Sequence, residues 1–316
     1  MVRICITADR FGFYCPEALE ALKEVGEVIK LRPAANLRDV LKSLRYCDAL
    51  IMGPELELDE RALEELKYLK IIALHSPNFI NVDLEAATRR GTVVLRAVQA
   101  VATSVAEYVM ALLLSLVKRI NEAYSSVKSG RSDKRTSLVG FELRGKKLGI
   151  LHLGEVGKEL ANIANRGFGM EILVFDPFSE IPRDYRKVNN FKELLVNSDV
   201  VTIQDPLPPK FKRLINELDF RSVKEGGILI DVTGGEVISE EVIAELVEEG
   251  RLIGVALDSL PKSYRLFKYP NVIITPQTSY YTLEGIARME LMLAEDIVKY
   301  FKGERPKRVA NPEVFK

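Results

Sequence analysis

GKKLGILHLGEVGKELANIANRGFGMEILVFDP, residues 145–177, decides the fold of this chain. KKLGILHL (146–153) is an apolar run of strand length. It enters a glycine turn, Gly154-Glu155-Val156-Gly157, which opens an amphipathic stretch of helical period, and the next apolar run, EILVFD (171–176), ends on Asp176. Strand, glycine turn, helix, strand and acid in that order form the Rossmann arrangement. Gly154 lets the backbone approach a pyrophosphate, Gly157 lets helix and strand pack closely, and the N–H groups that open the helix face an anion. Asp176 is placed to accept hydrogen bonds from the adenosine ribose, and its charge favours NAD over NADP. Two residues depart from the pattern. His152 stands where the first glycine of G-x-G-x-x-G belongs, and Glu155 adds a negative charge beside the phosphates. The alternative is that Gly154 and Gly157 serve only the turn and its packing.

Outward from this segment the same alternation continues. DVVTIQ (199–204), GILIDV (227–232), LIGVAL (252–257) and NVIIT (271–275) read as further strands separated by helices. The first hundred residues repeat the pattern with VRICITA (2–8), EVIKL (27–31), DALIM (48–52), KIIAL (70–74) and TVVL (92–95), and with helices at 16–25, 36–45, 59–68 and 83–90. Such alternation means parallel sheets covered by helices on both faces. A long helix opens at Ser104-Val-Ala-Glu107, a capping-box pattern, and runs to about 127; a second spans 283–301. The expected fold is α/β, with two doubly wound parallel-sheet domains joined by two long helices. The first, 1–98 plus 283–316, is flavodoxin-like and of substrate type; the second, 99–282, is the NAD-binding Rossmann domain.

Composition narrows the function classes. Lys+Arg and Asp+Glu are 45 each, so no basic excess points to nucleic acid. The longest apolar run, 105–117, is too short to span a bilayer. The N-terminus goes straight into a strand-like run and reads as no signal peptide. Three cysteines (Cys5, Cys15, Cys47) without a CxxC pair, and only two histidines, make no metal site. They read as reduced, mostly buried thiols of a cytoplasmic protein, with a Cys5–Cys15 bridge as the alternative in a hyperthermophile. Few Gln, no Trp and abundant Lys, Arg and Glu resemble the balance of thermophile proteins.

Nearly end to end the chain resembles the D-isomer-specific 2-hydroxyacid dehydrogenases. The segment quoted above looks like that family's cofactor segment, and NVDLEAATRRGTVV, SVAEYVMALLLSL, NSDVVTIQDPLP, GGILIDVTGGEVISEE, GVALD and PNVIITPQTS follow in the family's order and spacing. The resemblance implies a substrate domain built from both chain ends, NAD as cofactor, a small-molecule ligand and a homodimer. It also implies that Asp258 meets the nicotinamide carboxamide and that Pro206, in the family's PL pair, lies beside the cofactor.

The family's chemistry uses a histidine as proton donor, a glutamate that holds it, and an arginine for the substrate carboxylate. At those positions this chain has Gln277 (in Thr275-Pro276-Gln277), Ser263 (five residues after Asp258) and Gly234 (in Thr233-Gly234-Gly235). An amide cannot act as a general acid at neutral pH, and glycine has no side chain to clamp a carboxylate. The substrate loop, 74–83, carries Pro77, which has no N–H to donate. The expectation is therefore a homologue that keeps NAD(H) binding but has lost the family's hydride transfer. The alternative is an oxidoreductase with a rebuilt site using His75 and Arg96. The helix from Ser104 carries Val109, Leu112, Leu113 and Leu116, more apolar residues than one domain face needs, which also points to a homodimer.

Overall fold

The computed structural model describes all residues except 32–36, 78–80, 132–135, 236 and 262. The chain divides into two units, Met1–Val101 with Tyr281–Lys316, and Ala102–Tyr280.

In the first unit the elements alternate as β1 (Val2–Ile6), α1 (Pro16–Lys23), β2 (Gly26–Lys30), α2 (Leu37–Leu44), β3 (Ala49–Met52), α3 (Glu60–Glu65), β4 (Ile71–Leu74), α4 (Leu84–Arg89) and β5 (Val93–Arg96). All pairings are parallel and the strand order is β2-β1-β3-β4-β5, the flavodoxin-like order. β3 and β4 are buried along their whole length, as strands covered on both faces must be. The helices begin where short polar side chains can take their free N–H groups: Asp59 caps α3 through the Ala62 N–H, and Asp83 caps α4 through the Ala86 N–H.

The second unit holds α5 (Ala102–Val117), α6 (Ile120–Lys128), β6 (Lys147–Leu151), α7 (Glu155–Asn162), β7 (Glu171–Phe175), β8 (Arg186–Lys187), α8 (Phe191–Asn197), β9 (Val200–Ile203), α9 (Pro209–Lys212), β10 (Gly227–Asp231), α10 (Glu240–Glu248), β11 (Leu252–Asp258) and β12 (Val272–Thr275). Its parallel sheet has the order β12-β11-β10-β9-β6-β7-β8. The order reverses between β6 and β9, whose registered ends bring Leu151 beside Ile203. Loops leaving those two ends meet at the topological switch point, where open α/β sheets place their ligands. α11 (Leu283–Phe301) returns to the first unit and is capped by Thr282.

Four expectations change. The first helix of the second unit starts at Ala102, behind a short 3-10 turn (Val98–Val101), so Ser104 is a buried residue inside the helix and not its cap. That helix also ends at Val117, and α6 restarts after Arg119, whose φ of 52° is left-handed and breaks the ladder. The apolar stretch is longer than read: Val98–Val117 has the length and hydropathy of a membrane span. Its Val105, Val109, Met110, Leu112, Leu113 and Val117 are nonetheless buried, as in the core helix of a globular domain. Finally, Cys5 of β1 is bonded to Cys47, which precedes β3, while Cys15 is a free buried thiol. Pairing of β1 with β3 brings those two positions to a Cα separation of 6.0 Å, inside the range a disulfide spans.

Candidate functional site

The phosphate turn lies at the carboxyl end of β6. His152 takes a left-handed φ of 67°, tolerable for histidine but natural for the glycine it replaces. Its ring packs at a tilt against Phe211, and its Nδ1 lies 2.8 Å from Asp176 Oδ2. Asp176 is fully buried. Its Oδ2 also accepts from the Leu153 N–H at 3.0 Å, and its Oδ1 accepts from the N–H groups of Phe178 and Ser179 at 2.8 and 3.0 Å. Burial pushes this carboxyl's pKa up, but the bonds from Phe178, His152, Leu153 and Ser179 outweigh it and leave it below the ordinary value. Asp176 thus fastens the turn to the end of β7 with both of its oxygens.

α7 opens at Glu155 behind Gly154, with Val156 and Gly157 in its first turn. Two of its early N–H groups are already bonded. Val156 N–H donates to Asp205 Oδ1 at 3.0 Å and Gly157 N–H to Asp205 Oδ2 at 2.7 Å. A Cβ on Gly154 would stand 2.5 Å from Asp205 Cγ, so the glycine's missing side chain makes room for this carboxylate. Gln204 supports it from behind, its amide nitrogen reaching the His152 carbonyl at 2.9 Å and Asp205 Oδ2 at 3.3 Å. Glu155 is half-exposed and ion-paired with Lys158 at 3.1 Å. Pro206 follows Asp205 and is partly buried.

At the far edge of the same sheet, β12 ends in the Thr275–Ser279 turn. Asp258, at the end of β11 and fully buried, ties that turn down. It accepts from Thr275 Oγ1 at 2.6 Å, the Thr278 N–H at 3.0 Å and the Ser279 N–H at 2.8 Å. It is thus an anchor of the turn. Gln277, at the turn's tip, has a φ of 60°, and its N–H donates to the Thr275 carbonyl. Its Nε2 lies 3.5 Å from where a Cβ on Gly234 would stand, so Gln277 and Gly234 face one another. Ser263 does not join them: its N–H and Oγ both bond Glu240 of α10, at 3.0 and 2.6 Å.

In the first unit, His75 leaves β4 and Arg96 ends β5, where Leu74 registers with Arg96. His75 Nε2 lies 3.5 Å from Glu290 Oε1, and its ring meets Phe11 edge-on. Glu290 comes from α11, is fully buried and accepts the Cys15 N–H at 2.9 Å. Pro77 follows in the loop; residues 78–80 of the expected substrate loop lie outside the described residues. Among the described residues no cluster of metal-ligating side chains occurs.

Residues 110–279 match the family described as D-isomer specific 2-hydroxyacid dehydrogenase, NAD binding domain. The chain belongs to the D-isomer specific 2-hydroxyacid dehydrogenase family. Among its relatives, the D-3-phosphoglycerate dehydrogenase of Methanocaldococcus jannaschii is 31% identical over 98% of this chain and 60% of its own length. The glyoxylate reductase of Thermofilum pendens is 31% identical over 94% of this chain and 92% of its own. A crystal structure of a Thermus thermophilus protein superposes with a TM-score of 0.85 at 29% identity, covering 98% of this chain and all of that one. The chain thus spans about three-fifths of the length of the phosphoglycerate dehydrogenase and nearly all of the glyoxylate reductase.

NAD is the cofactor of the matched domain family. The switch point, the glycine turn and the helix terminus have the form such a domain needs. The donors do not stand open: the Val156 and Gly157 N–H groups hold Asp205, and Asp176 is taken by its four protein partners. Sequence reading missed Asp205 and Glu290. The available signal for the first was an acid two residues beyond the end of β9, immediately before the PL pair.

Proposed function

We propose that this chain is a dinucleotide-binding member of the family that does not carry out the family's hydride transfer on 2-keto acids, and that it acts by binding, as a sensor or partner subunit. The observation that carries this reading is the facing pair Gln277 and Gly234. Reduction of a keto acid needs a proton donor for the carbonyl oxygen and a cation for the carboxylate. Where the family's histidine and arginine would stand, this pair supplies an uncharged amide and no side chain. Ser263, at the third position, is committed to Glu240. The test is a fluorescence titration with NADH, followed on the same sample by pyruvate, glyoxylate, hydroxypyruvate and phosphohydroxypyruvate. Saturable binding without NADH oxidation is expected; steady oxidation with any of the four acids overturns the reading.

A second reading has one observation in its favour. His75 has a carboxylate beside it, the fully buried Glu290, whose Oε1 lies 3.5 Å from Nε2 without a hydrogen bond between them, and a histidine next to an acid is an arrangement that general catalysis can use. An oxidoreductase rebuilt around His75, with Arg96 beside it on β5, would lose turnover in His75→Ala and in Glu290→Gln.

The chain is further proposed to form a homodimer and to work in the cytoplasm of a thermophile, where intracellular disulfides such as Cys5–Cys47 persist.

A further inference from the structure

We propose that Asp205 is a built-in occupant of the pyrophosphate seat: its carboxylate takes the first N–H groups of α7, and a dinucleotide enters only as that carboxylate gives them up. This rests on the reading that the chain binds a dinucleotide. Three observations meet here. Both carboxylate oxygens are used, one on the Val156 N–H and one on the Gly157 N–H, with a third bond from Gln204. Gly154 is open on the side where Asp205 lies, within 2.5 Å of an added Cβ, so the space a phosphate would use is filled by this side chain. The pairing of β6 with β9 brings the two loops side by side, which puts Asp205 within reach of the turn.

The chemistry sets the consequence. A helix N-terminus accommodates one anion well. Two anions on the same donors repel at close range in a buried place. A phosphate therefore arrives either as Asp205 swings away or as Asp205 takes one proton from solvent and becomes a neutral carboxyl. Burial pushes the Asp205 pKa up, against the Gly157 and Val156 N–H bonds that hold it down, so proton uptake lies within reach. The titratable group beside it is His152, bonded to Asp176; Glu155, paired with Lys158, lies in the first turn of the same helix, α7. Lower pH thus favours the dinucleotide through Asp205.

The experiment is an NADH titration of the full chain and of its Asp205→Asn and Asp205→Ala variants at pH 6 and pH 8, with folding checked by circular dichroism. Asparagine keeps the shape and loses the charge but sets one donor against an N–H, whereas alanine removes the side chain, so the two variants test the charge by different routes. At pH 8 the folded variants should bind NADH at least tenfold more tightly than the wild-type chain. Wild-type affinity should fall from pH 6 to pH 8, and Asp205→Asn should remove the larger part of that fall. Inorganic pyrophosphate should raise the melting temperature of Asp205→Asn more than that of the wild-type chain. Equal or weaker NADH affinity in folded variants overturns the proposal, as does an unchanged pH dependence. If the wild-type chain does not bind NADH while Asp205→Asn does, the proposal stands and the binding role fails. If both bind alike, the binding role stands and the proposal fails. If neither binds, both fail.

Discussion

Asp176 and Gln277 carry the sharpest consequences at the scale of single residues. Asp176 accepts from three backbone N–H groups and from His152 in full burial. Asp176→Asn turns one acceptor oxygen into a donor facing donors, and should cost about 1–3 kcal/mol at neutral pH. Because the folded pKa of Asp176 is depressed, its contribution is present above the unfolded value of about 3.9 and is lost as pH falls through the folded one. The difference in unfolding free energy between wild type and variant should therefore shrink in denaturant titrations below about pH 4; a difference constant from pH 7 to pH 3 would contradict this. Gln277→His alone should give no measurable reduction of the four keto acids. The new imidazole would have Ser263 turned to Glu240 and Gly234 opposite, and groups that work as a unit do not act singly. Clear turnover in that variant would show that other residues supply the missing acid and cation. Gly154, Gly157 and Asp176 were legible in the sequence because a local order of strand, turn and helix dictates them. What they bond to was not, because Asp205 meets Gly154 only through the register of β6 on β9.

Among the elements, the strands were the most legible, since runs such as ALIM and VVTI are buried throughout and their apolar character needs no neighbour to be read. β8 was missed because its two exposed residues, Arg186 and Lys187, carry no pattern. The start of α5 was misplaced because Ser104 and Glu107 imitate a capping box, whereas the chain already turns helical at Val98. The disulfide is likewise an element-level fact: the pairing of β1 with β3 is what sets Cys5 beside Cys47. It closes a loop with a sequence separation of 42, so its removal relaxes a constraint on the unfolded chain worth about 4 kcal/mol in the chain-entropy account. Cys47→Ser should lower the melting temperature measured without reductant, and a reductant should lower that of the wild-type chain toward the variant's. Identical melting of the two chains without reductant would show that the bond is not formed.

For the whole molecule the open matter is association. Of the residues that suggested a twofold mate, Val109, Leu112 and Leu113 are already buried and Leu116 is only part-exposed, so they offer little surface to a partner. α6 supplies a better reason. Ile120, Tyr124 and Val127 lie on one helical face, spaced four and three residues apart, and are 51, 66 and 66% exposed. Val139 adds an apolar residue at 78% exposure in the same unit. A face of this kind marks an interaction surface, and with Lys+Arg and Asp+Glu at 45 each no net charge opposes the meeting of two copies. A closed pair would set the same face of each copy on the other. Sedimentation at micromolar concentration should give a species of twice the 35.5 kDa chain mass. Tyr124→Glu places a charge in the centre of the stripe, where a desolvated and unpaired carboxylate costs several kcal/mol, and should shift that species to the monomer while leaving the fold intact by circular dichroism. A wild-type monomer at that concentration would refute the dimer. A dimer that survives Tyr124→Glu would place the contact on another face.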